Sequence, residues 1–341
     1  MYVSRTEKTD GREQQNACAG AFSVGTDRQT VSCFDSERNR LMGNLYVTLD
    51  TEMDADIHWH KSNTPCFSSV LEGIPNYLRP IWDQYQVNPI YFVSPEVAEN
   101  EECCNVLKNE IKKGAMIGAH LHPEYIEPEK KGYREGVPSE FPCFAYERDI
   151  EKEKLKNLVT LIENNLGVKP MWYRAARFGA DDDTIAILKE LGFRYDSSVT
   201  PCIDWSKKGG PDHRKGMIRS YYIRGNEIYS SSDKKEGIKE YPVTIMGKRW
   251  GVLGRLLPDN WLFYKWIRPS HMTYAEQKKM LKTAKKSGIK DIVMMFHTME
   301  VMINKTPYVR NSFMQSYFLW RLRKTIGYAK KMGYSAQIQG S

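Results

Sequence analysis

Residues 45–52 read Leu45-Tyr46-Val47-Thr48-Leu49-Asp50-Thr51-Glu52. The first five are apolar, β-branched or aromatic, and the run is too short for a buried helix, so it predicts a buried strand. The strand stops on acids, with Asp50, Glu52, Asp54 and Asp56 spaced two apart. Similar runs recur at 89–93, 115–119, 170–175, 193–196, 240–245, 291–296 and 334–338. Helical periodicity fills most of the intervals, at 68–85, 101–113, 149–166, 182–191 and 312–331, with Gly192 and Gly333 as stop signals. Strands alternating with helices predict an α/β fold with a parallel sheet of seven or eight strands, a distorted or incomplete (β/α) TIM-like barrel. Chemistry in such barrels sits at the C-terminal ends of the strands.

The reactive side chains fall at those ends. Asp50 follows the first strand, His120 and His122 the third, Arg174 and Arg177 the fourth, and Asp196 the fifth; His297 follows the strand at 291–296, with Glu300 three residues on. His120-Leu121-His122 puts two imidazoles on one side of an extended segment, able to share one divalent ion. A carboxylate from 50–56 completes a two-His, one-carboxylate set that leaves positions for water and substrate. A second carboxylate can take the proton from that water. His297, expected on the opposite rim, can give one to a leaving amine, and Arg174 can hold the base carboxylate ionised. Each piece also has a plain alternative: paired histidines that satisfy each other, a solvated acidic loop, a core histidine. Asp54-Ala55-Asp56 matches the short DxD motif of nucleotide-sugar transferases, and His58-Trp59-His60 is a rival HxH, expected to flank the site.

At 341 residues the chain can bury one large domain or two smaller ones, and its 41% hydrophobic and 27% charged content is that of a soluble globular protein. Residues 1–43 are polar without period and are expected to be a poorly ordered extension; residues 44–341 are expected to form a single domain. Neither a signal-peptide h-region nor a spanning apolar run is present, which predicts a cytoplasmic protein. Seven scattered cysteines without a CxxC pair predict free thiols. The net charge of +8 comes without a nucleic-acid motif, so acidic partners such as phosphate-bearing glycans or an anionic membrane surface are favoured over nucleic acid.

The ordered motifs resemble the polysaccharide deacetylase superfamily (NodB-like, carbohydrate esterase family 4), from about Leu45 to Ile338. Thr48-Leu49-Asp50-Thr51-Glu52-Met53-Asp54 is similar to its first motif, which implies Asp50 as catalytic base and Glu52 as a metal ligand, with Asp54 the second choice. Thr51 stands where the family pattern has an Asp. Gly118-Ala119-His120-Leu121-His122-Pro123-Glu124 resembles the second motif in a branch with G-A-H-L-H-P, which implies His120 and His122 as ligands. Glu124 occupies the position four residues on, where the common pattern has a histidine, and is a further candidate ligand. Tyr173-Arg174-Ala175-Ala176-Arg177-Phe178-Gly179 looks like the third motif, with Arg174 supporting the base. Gly192–Val199 looks like the fourth, and Met295–Glu300 like the fifth, which implies His297 as catalytic acid. Arg177, Asp196 and Glu300 are then substrate-contact candidates. The resemblance implies the NodB-like deacetylase barrel, a divalent metal (zinc most often, cobalt or nickel in some members), and removal of acetyl groups from an amino sugar, polysaccharide or glycolipid. An inactive glycan-binding relative and an amide hydrolase acting on a small non-sugar substrate are the alternatives.

Residues 241–268 interleave Tyr241, Trp250, Trp261, Phe263, Tyr264 and Trp266 with basic residues. They are expected to be an insertion that packs as a satellite core, or else one that stacks sugar rings or touches anionic lipid headgroups. Residues 125–148 are expected to be a loop bordering the site.

Overall fold

A computed structural model describes residues 43–133, 139–248 and 263–338. The expected N-terminal extension therefore lies outside the described residues, as do Trp250 and Trp261 of the aromatic segment. The strands are β1 (Gly43–Thr51), β2 (Ile90–Val93), β3 (Met116–Leu121), β4 (Trp172–Ala175), β5 (Tyr195–Asp196), β6 (Tyr221–Arg224), β7 (Glu227–Ser232), β8 (Lys239–Glu240), β9 (Ile245–Lys248), β10 (Phe263–Trp266), β11 (Asp291–His297) and β12 (Tyr334–Ser335). The α-helices are α1 (Arg79–Tyr85), α2 (Pro95–Glu99), α3 (Glu101–Lys112), α4 (Pro142–Ala145), α5 (Arg148–Leu166), α6 (Asp182–Glu190), α7 (Tyr274–Lys286) and α8 (Ser312–Lys331). The segment predicted as one helix at 68–85 divides in two: a π-helix over Ser69–Leu78 carries Pro75 inside it and leads into α1. Proline cannot donate a backbone hydrogen bond, and the widened helix accommodates that loss.

The large sheet runs β11-β1-β2-β3-β4-β5-β8-β6-β7, with β12 beside β1. Pairings from β11 through β8 are parallel, while β6 and β7 are antiparallel. This is the expected incomplete (β/α) barrel. β1 lies between β11 and β2, buried along Leu45–Thr51, as a near-continuous apolar strand in a parallel sheet must be.

The strand expected at 240–245 is broken. Tyr241 N–H donates to Asp196, Val243 N–H to Val199 and Thr244 N–H to Val293. Pro242 has no N–H to give. The segment thus steps from the β5 side of the barrel to β11 through single hydrogen bonds, and the wall closes there without a ladder. Beyond it, β9 and β10 form a separate antiparallel pair. In the described part of the aromatic segment, Tyr241 packs among Tyr46, Trp172 and Tyr195, and Trp266 packs on Phe178. Two other elements were not expected: helix α7, opened by a Thr273–Glu276 capping box, and the β6–β7 hairpin across Gly225-Asn226. The five cysteines among the described residues are unbridged. No described helix is long and apolar enough to cross a membrane.

On α5, Glu151 is buried against α6 and accepts the Thr184 hydroxyl at 2.8 Å. Burial pushes its carboxyl from 4.5 up to about 8, against the smaller lowering effect of the Thr184 bond. Between those values the unfolded chain releases a proton that the folded chain keeps, so stability falls as pH rises from about 4.5 to 8. Glu151→Gln keeps an acceptor for Thr184 and removes the titration. Its melting temperature should match the native protein's near pH 4.5 and exceed it increasingly towards pH 8, which parallel thermal melts across that range will read.

Candidate active site

The parallel registers bring the C-terminal strand ends to one rim. Asp50 on β1 is the Cα partner of His297 on β11 and of Phe92 on β2. His120 on β3 is the partner of Arg174 on β4. Residues two apart on a strand share a face, so Asp50 with Glu52, and His120 with His122, turn their side chains the same way. His297 is on the strand next to Asp50, not on an opposite rim as expected.

One cluster comprises Glu52, His120 and His122, all buried, with ligand-capable atoms within 4.8 Å of one another. Nε2 of His120 and Nε2 of His122 each lie 3.2 Å from Glu52 Oε1. The outer nitrogens are engaged elsewhere. His120 Nδ1 meets the Arg174 carbonyl at 2.7 Å, and His122 Nδ1 meets Glu124 Oε1 at 3.0 Å. A carbonyl and a carboxylate can only accept, so each Nδ1 is the donor and, in the neutral ring, each Nε2 presents its lone pair to Glu52. Metal-binding histidines are held in this tautomer by partners of this kind. Glu124 therefore acts behind His122 and is not itself among the clustered ligand atoms.

Lys61, which the sequence did not single out, completes the surroundings of Glu52. It is buried and donates to Glu52 Oε2 at 2.7 Å and to the Met53 carbonyl at 2.7 Å. Burial alone would raise the Glu52 carboxyl, but Lys61, then the two histidines, hold it well below the usual range. Burial would lower His122, yet Glu52 and Glu124 push it well above its ordinary value. A position that favours an extra positive charge this strongly, beside two nitrogen lone pairs and a carboxylate oxygen, has the donor set of a divalent metal site. The buried Nε2 of His122 makes no hydrogen bond, as a ligand atom of such a site would not.

Asp50 sits alongside. Arg174 Nη1 donates to it at 2.7 Å, with the guanidinium fully buried. Burial raises the Asp50 carboxyl, but Arg174, His120 and His297 outweigh it and keep the group below its ordinary value. His297 Nε2 lies 3.8 Å from Asp50 and 3.7 Å from Glu52, and Asp50, Glu52 and His297 form a second ligand-capable cluster. The other side of His297 is held by Glu300, which accepts its backbone N–H at 2.9 Å and contacts Nδ1 at 3.2 Å. Arg268, also missed from sequence, pairs with Glu300 and reaches His297 Nδ1 at 3.1 Å.

Several candidates stand away from this cluster. Asp54 accepts Ser68 Oγ at 2.6 Å and Ser69 N–H at 3.2 Å at the start of the π-helix. Asp56 binds the backbone of His58 and His60. Neither aspartate belongs to a cluster of three or more ligand-capable groups among the described residues. His58 and His60 are exposed, while Trp59 packs its ring 5.1 Å from His297. The second HxH thus flanks the site through its tryptophan. Asp196 and Glu300, expected at the substrate, are both fully buried. Asp196 accepts the Ser198 hydroxyl at 2.6 Å beside buried Glu240; burial raises both carboxyls, and the neighbouring Asp196 pushes Glu240 up further. The side chains of Asp196 and Glu300 contact neighbouring groups of the chain. Arg177 stacks on Phe141 at 4.1 Å and donates to the Ser139 carbonyl at 2.6 Å, so it holds the loop beyond the site.

No family model and no curated protein matches the chain. Among solved structures it is similar to the Puue allantoinase, at 12% identity over 85% of both chains with a TM-score of 0.49. It is also similar to a probable polysaccharide deacetylase from Pseudomonas aeruginosa PAO1, at 14% over 85% of both chains with a TM-score of 0.48. A putative polysaccharide deacetylase from Mycobacterium smegmatis is 14% identical, with 84% of this chain and 83% of that one covered and a TM-score of 0.47. At these identities the functional argument rests on the geometry of the site itself.

Removing one partner of a buried ion pair leaves the other uncompensated, at a cost of about 3–5 kcal/mol. Arg174→Met should therefore destabilise the protein by that order, and adding Asp50→Asn should recover part of the loss. Urea unfolding of the two single variants and the double variant reads the coupling; strictly additive losses would mean that the pair is not coupled.

Proposed function

We propose that this protein is a metal-dependent hydrolase that removes an acetyl or similar acyl group from an amino sugar in a polysaccharide or glycolipid. The observation that carries the metal is the convergence of two Nε2 lone pairs on one Glu52 oxygen, with both Nδ1 atoms tied back. Glu52, His120 and His122 would hold the ion, and nitrogen and carboxylate donors suit zinc, with cobalt or nickel as alternatives. A divalent ion bound there supplies Lewis acidity and a water acidified towards neutral pH.

The remaining chemistry belongs to the chain. Asp50, kept ionised by Arg174, accepts the proton of the attacking water. Its pairing with Arg174 fixes one oxygen and leaves the other turned towards His297. His297 donates a proton from Nε2 to the departing amine nitrogen, so that the amide C–N bond breaks with a neutral leaving group. Glu300 and Arg268 fix the ring from behind. Trp59 borders the approach to His297 and contacts Tyr308 at 5.8 Å, giving the rim an apolar edge suited to a sugar or acyl face. An amide hydrolase for a small non-sugar substrate would use the same groups, and substrate screening separates the two.

His120→Ala and His122→Ala should each lose stoichiometric zinc, read by metal analysis after dialysis. Asp50→Asn should keep the metal and lose about 10²–10⁴-fold in turnover of acetylated amino-sugar oligomers. Zinc retained in the double histidine variant would overturn the ligand assignment, and full turnover by Asp50→Asn would overturn the base.

A further inference from the structure

Helix α8 carries an unusual outer face. Phe313, Tyr317 and Trp320 follow one another at i, i+4 and i+7, so they line one stripe. They are 77%, 39% and 41% exposed, and Met314 beside them is 39% exposed. The opposite face, with Phe318, Leu322, Ile326 and Ala329, is buried in the core. The stripe is therefore surplus to packing, and it is built rather than scattered. Phe313 and Tyr317 stack at 8° and Tyr317 and Trp320 at 14°, while Tyr274 of α7 meets Trp320 edge-on at 76°.

The charge around the stripe is predominantly positive. From residue 269 to the C-terminus there are thirteen Lys and Arg against three acids, and no acid follows Glu300. That excess of ten exceeds the +8 of the whole chain. Arg310 and Lys324 lie before and after the stripe, both exposed, and Lys324 continues its spacing at i+11 from Phe313. Exposed Lys279 and Lys282 stand on α7, which packs against α8.

We infer that this face docks on the surface of an anionic lipid bilayer, with Phe313, Tyr317 and Trp320 entering the headgroup region and the surrounding lysines and arginines meeting acidic headgroups. Stacked aromatics rimmed by cations on one helix face have the composition of an interfacial anchor. A glycan platform needs free ring faces. Here neighbouring rings stack on one another, and the Arg321 guanidinium lies over the Tyr317 ring at 4.4 Å from its centroid. A second copy of the chain would bring the same positive excess against itself. Charge complementarity selects the acidic membrane.

Helix α8 is tied to the segment that follows His297. Gln315, between Phe313 and Tyr317, donates to the Val301 carbonyl at 2.7 Å, four residues after His297. The inference does not depend on the chemistry proposed for the candidate site, because binding is read separately.

The test is co-sedimentation of the full chain with vesicles of phosphatidylcholine alone, and of equal parts phosphatidylcholine and phosphatidylglycerol. The native protein should prefer the mixed vesicles by about tenfold or more, and lose that preference in high salt. Phe313→Ser with Tyr317→Ser and Trp320→Ser should abolish binding while zinc content and circular dichroism stay unchanged. Should the triple variant fail to fold, Phe313→Ser alone, at the most exposed position, should still weaken binding several-fold. Absence of vesicle binding by the native protein, or equal binding by the stripe variants, overturns the inference. So does retention on an insoluble N-acetylglucosamine polymer that the variants lose without any vesicle effect, which would make the stripe a glycan platform. A dimer that the variants convert to monomer without a vesicle effect would assign it to a second copy, and also overturns it.

Discussion

The Arg174 guanidinium, fully buried at the end of β4, is the part on which the rest of the site leans. A charge taken so far from water is tolerable only when its donors are met. Here they are met by groups from separate parts of the barrel: Asp50 and Thr48 on β1, and the hydroxyl and carbonyl oxygens of Ser197 after β5. Its flat face lies 4.2 Å from the ring of Phe92 on β2. The chain extends further, because Thr48 donates on to Met294 of β11 and Ser197 to the Tyr241 carbonyl. One side chain thus registers the strands from β11 to the break at Pro242. The arrangement also explains Gly118. A Cβ there would lie 2.5 Å from the Phe92 ring, which would have to leave the position from which it supports Arg174.

This hub fixes the electrical character of Asp50 and, through its backbone carbonyl, the tautomer of His120. The proposed base and the proposed ligand are therefore set by one residue, the carboxylate through the guanidinium and the imidazole through the carbonyl. Glu52 is treated differently. Lys61 takes its Oε2, leaving Oε1 as the oxygen that faces both histidines. Two neighbouring carboxylates thereby acquire distinct surroundings, and with them distinct capacities: one paired with an arginine and open towards His297, the other enclosed between a lysine and two imidazoles.

Much of this was legible in the sequence because it follows from period and position. Asp50, His120, Arg174 and His297 close apolar runs, and parallel strands bring such ends to one rim. The groups that escaped notice become significant only through tertiary contact. Lys61 stands in a polar loop, and nothing in its neighbours says that the loop returns through the Ala55–Lys61 bridge to bury it. Arg268 is one cation among several in an aromatic segment. Asp196 and Glu300 were read as substrate contacts, and the structure buries both side chains; a sequence locates a residue along a strand end and does not say whether its side chain turns inward or out. The missed α7 and the β6–β7 hairpin did leave signals, a Thr-x-x-Glu capping pattern and Gly-Asn between two short extended runs. Pro242 likewise marked the break in the strand at 240–245.

The surroundings of His297 decide which of its nitrogens can carry a transferable proton. Nδ1 has two neighbours of opposite kind, the Arg268 guanidinium at 3.1 Å and the Glu300 carboxylate at 3.2 Å. The guanidinium can only donate. When it does, Nδ1 is the acceptor and the proton of a neutral ring must sit on Nε2, the atom turned towards Asp50 and Glu52. When Glu300 is the partner instead, Nδ1 carries a proton and Nε2 is free to accept one. Arg268 and Glu300 are themselves paired, and both are buried, and Arg268 and His297 together outweigh burial and hold the Glu300 carboxylate ionised beside Nδ1. In the second tautomer the ring can take a proton on Nε2 and give it up again, returning to the neutral form with Nδ1–H still on Glu300, while its backbone stays anchored by the same carboxylate. Burial of Glu300 keeps that carboxylate on the ring. Solvated, the carboxylate would meet water instead of holding the ring.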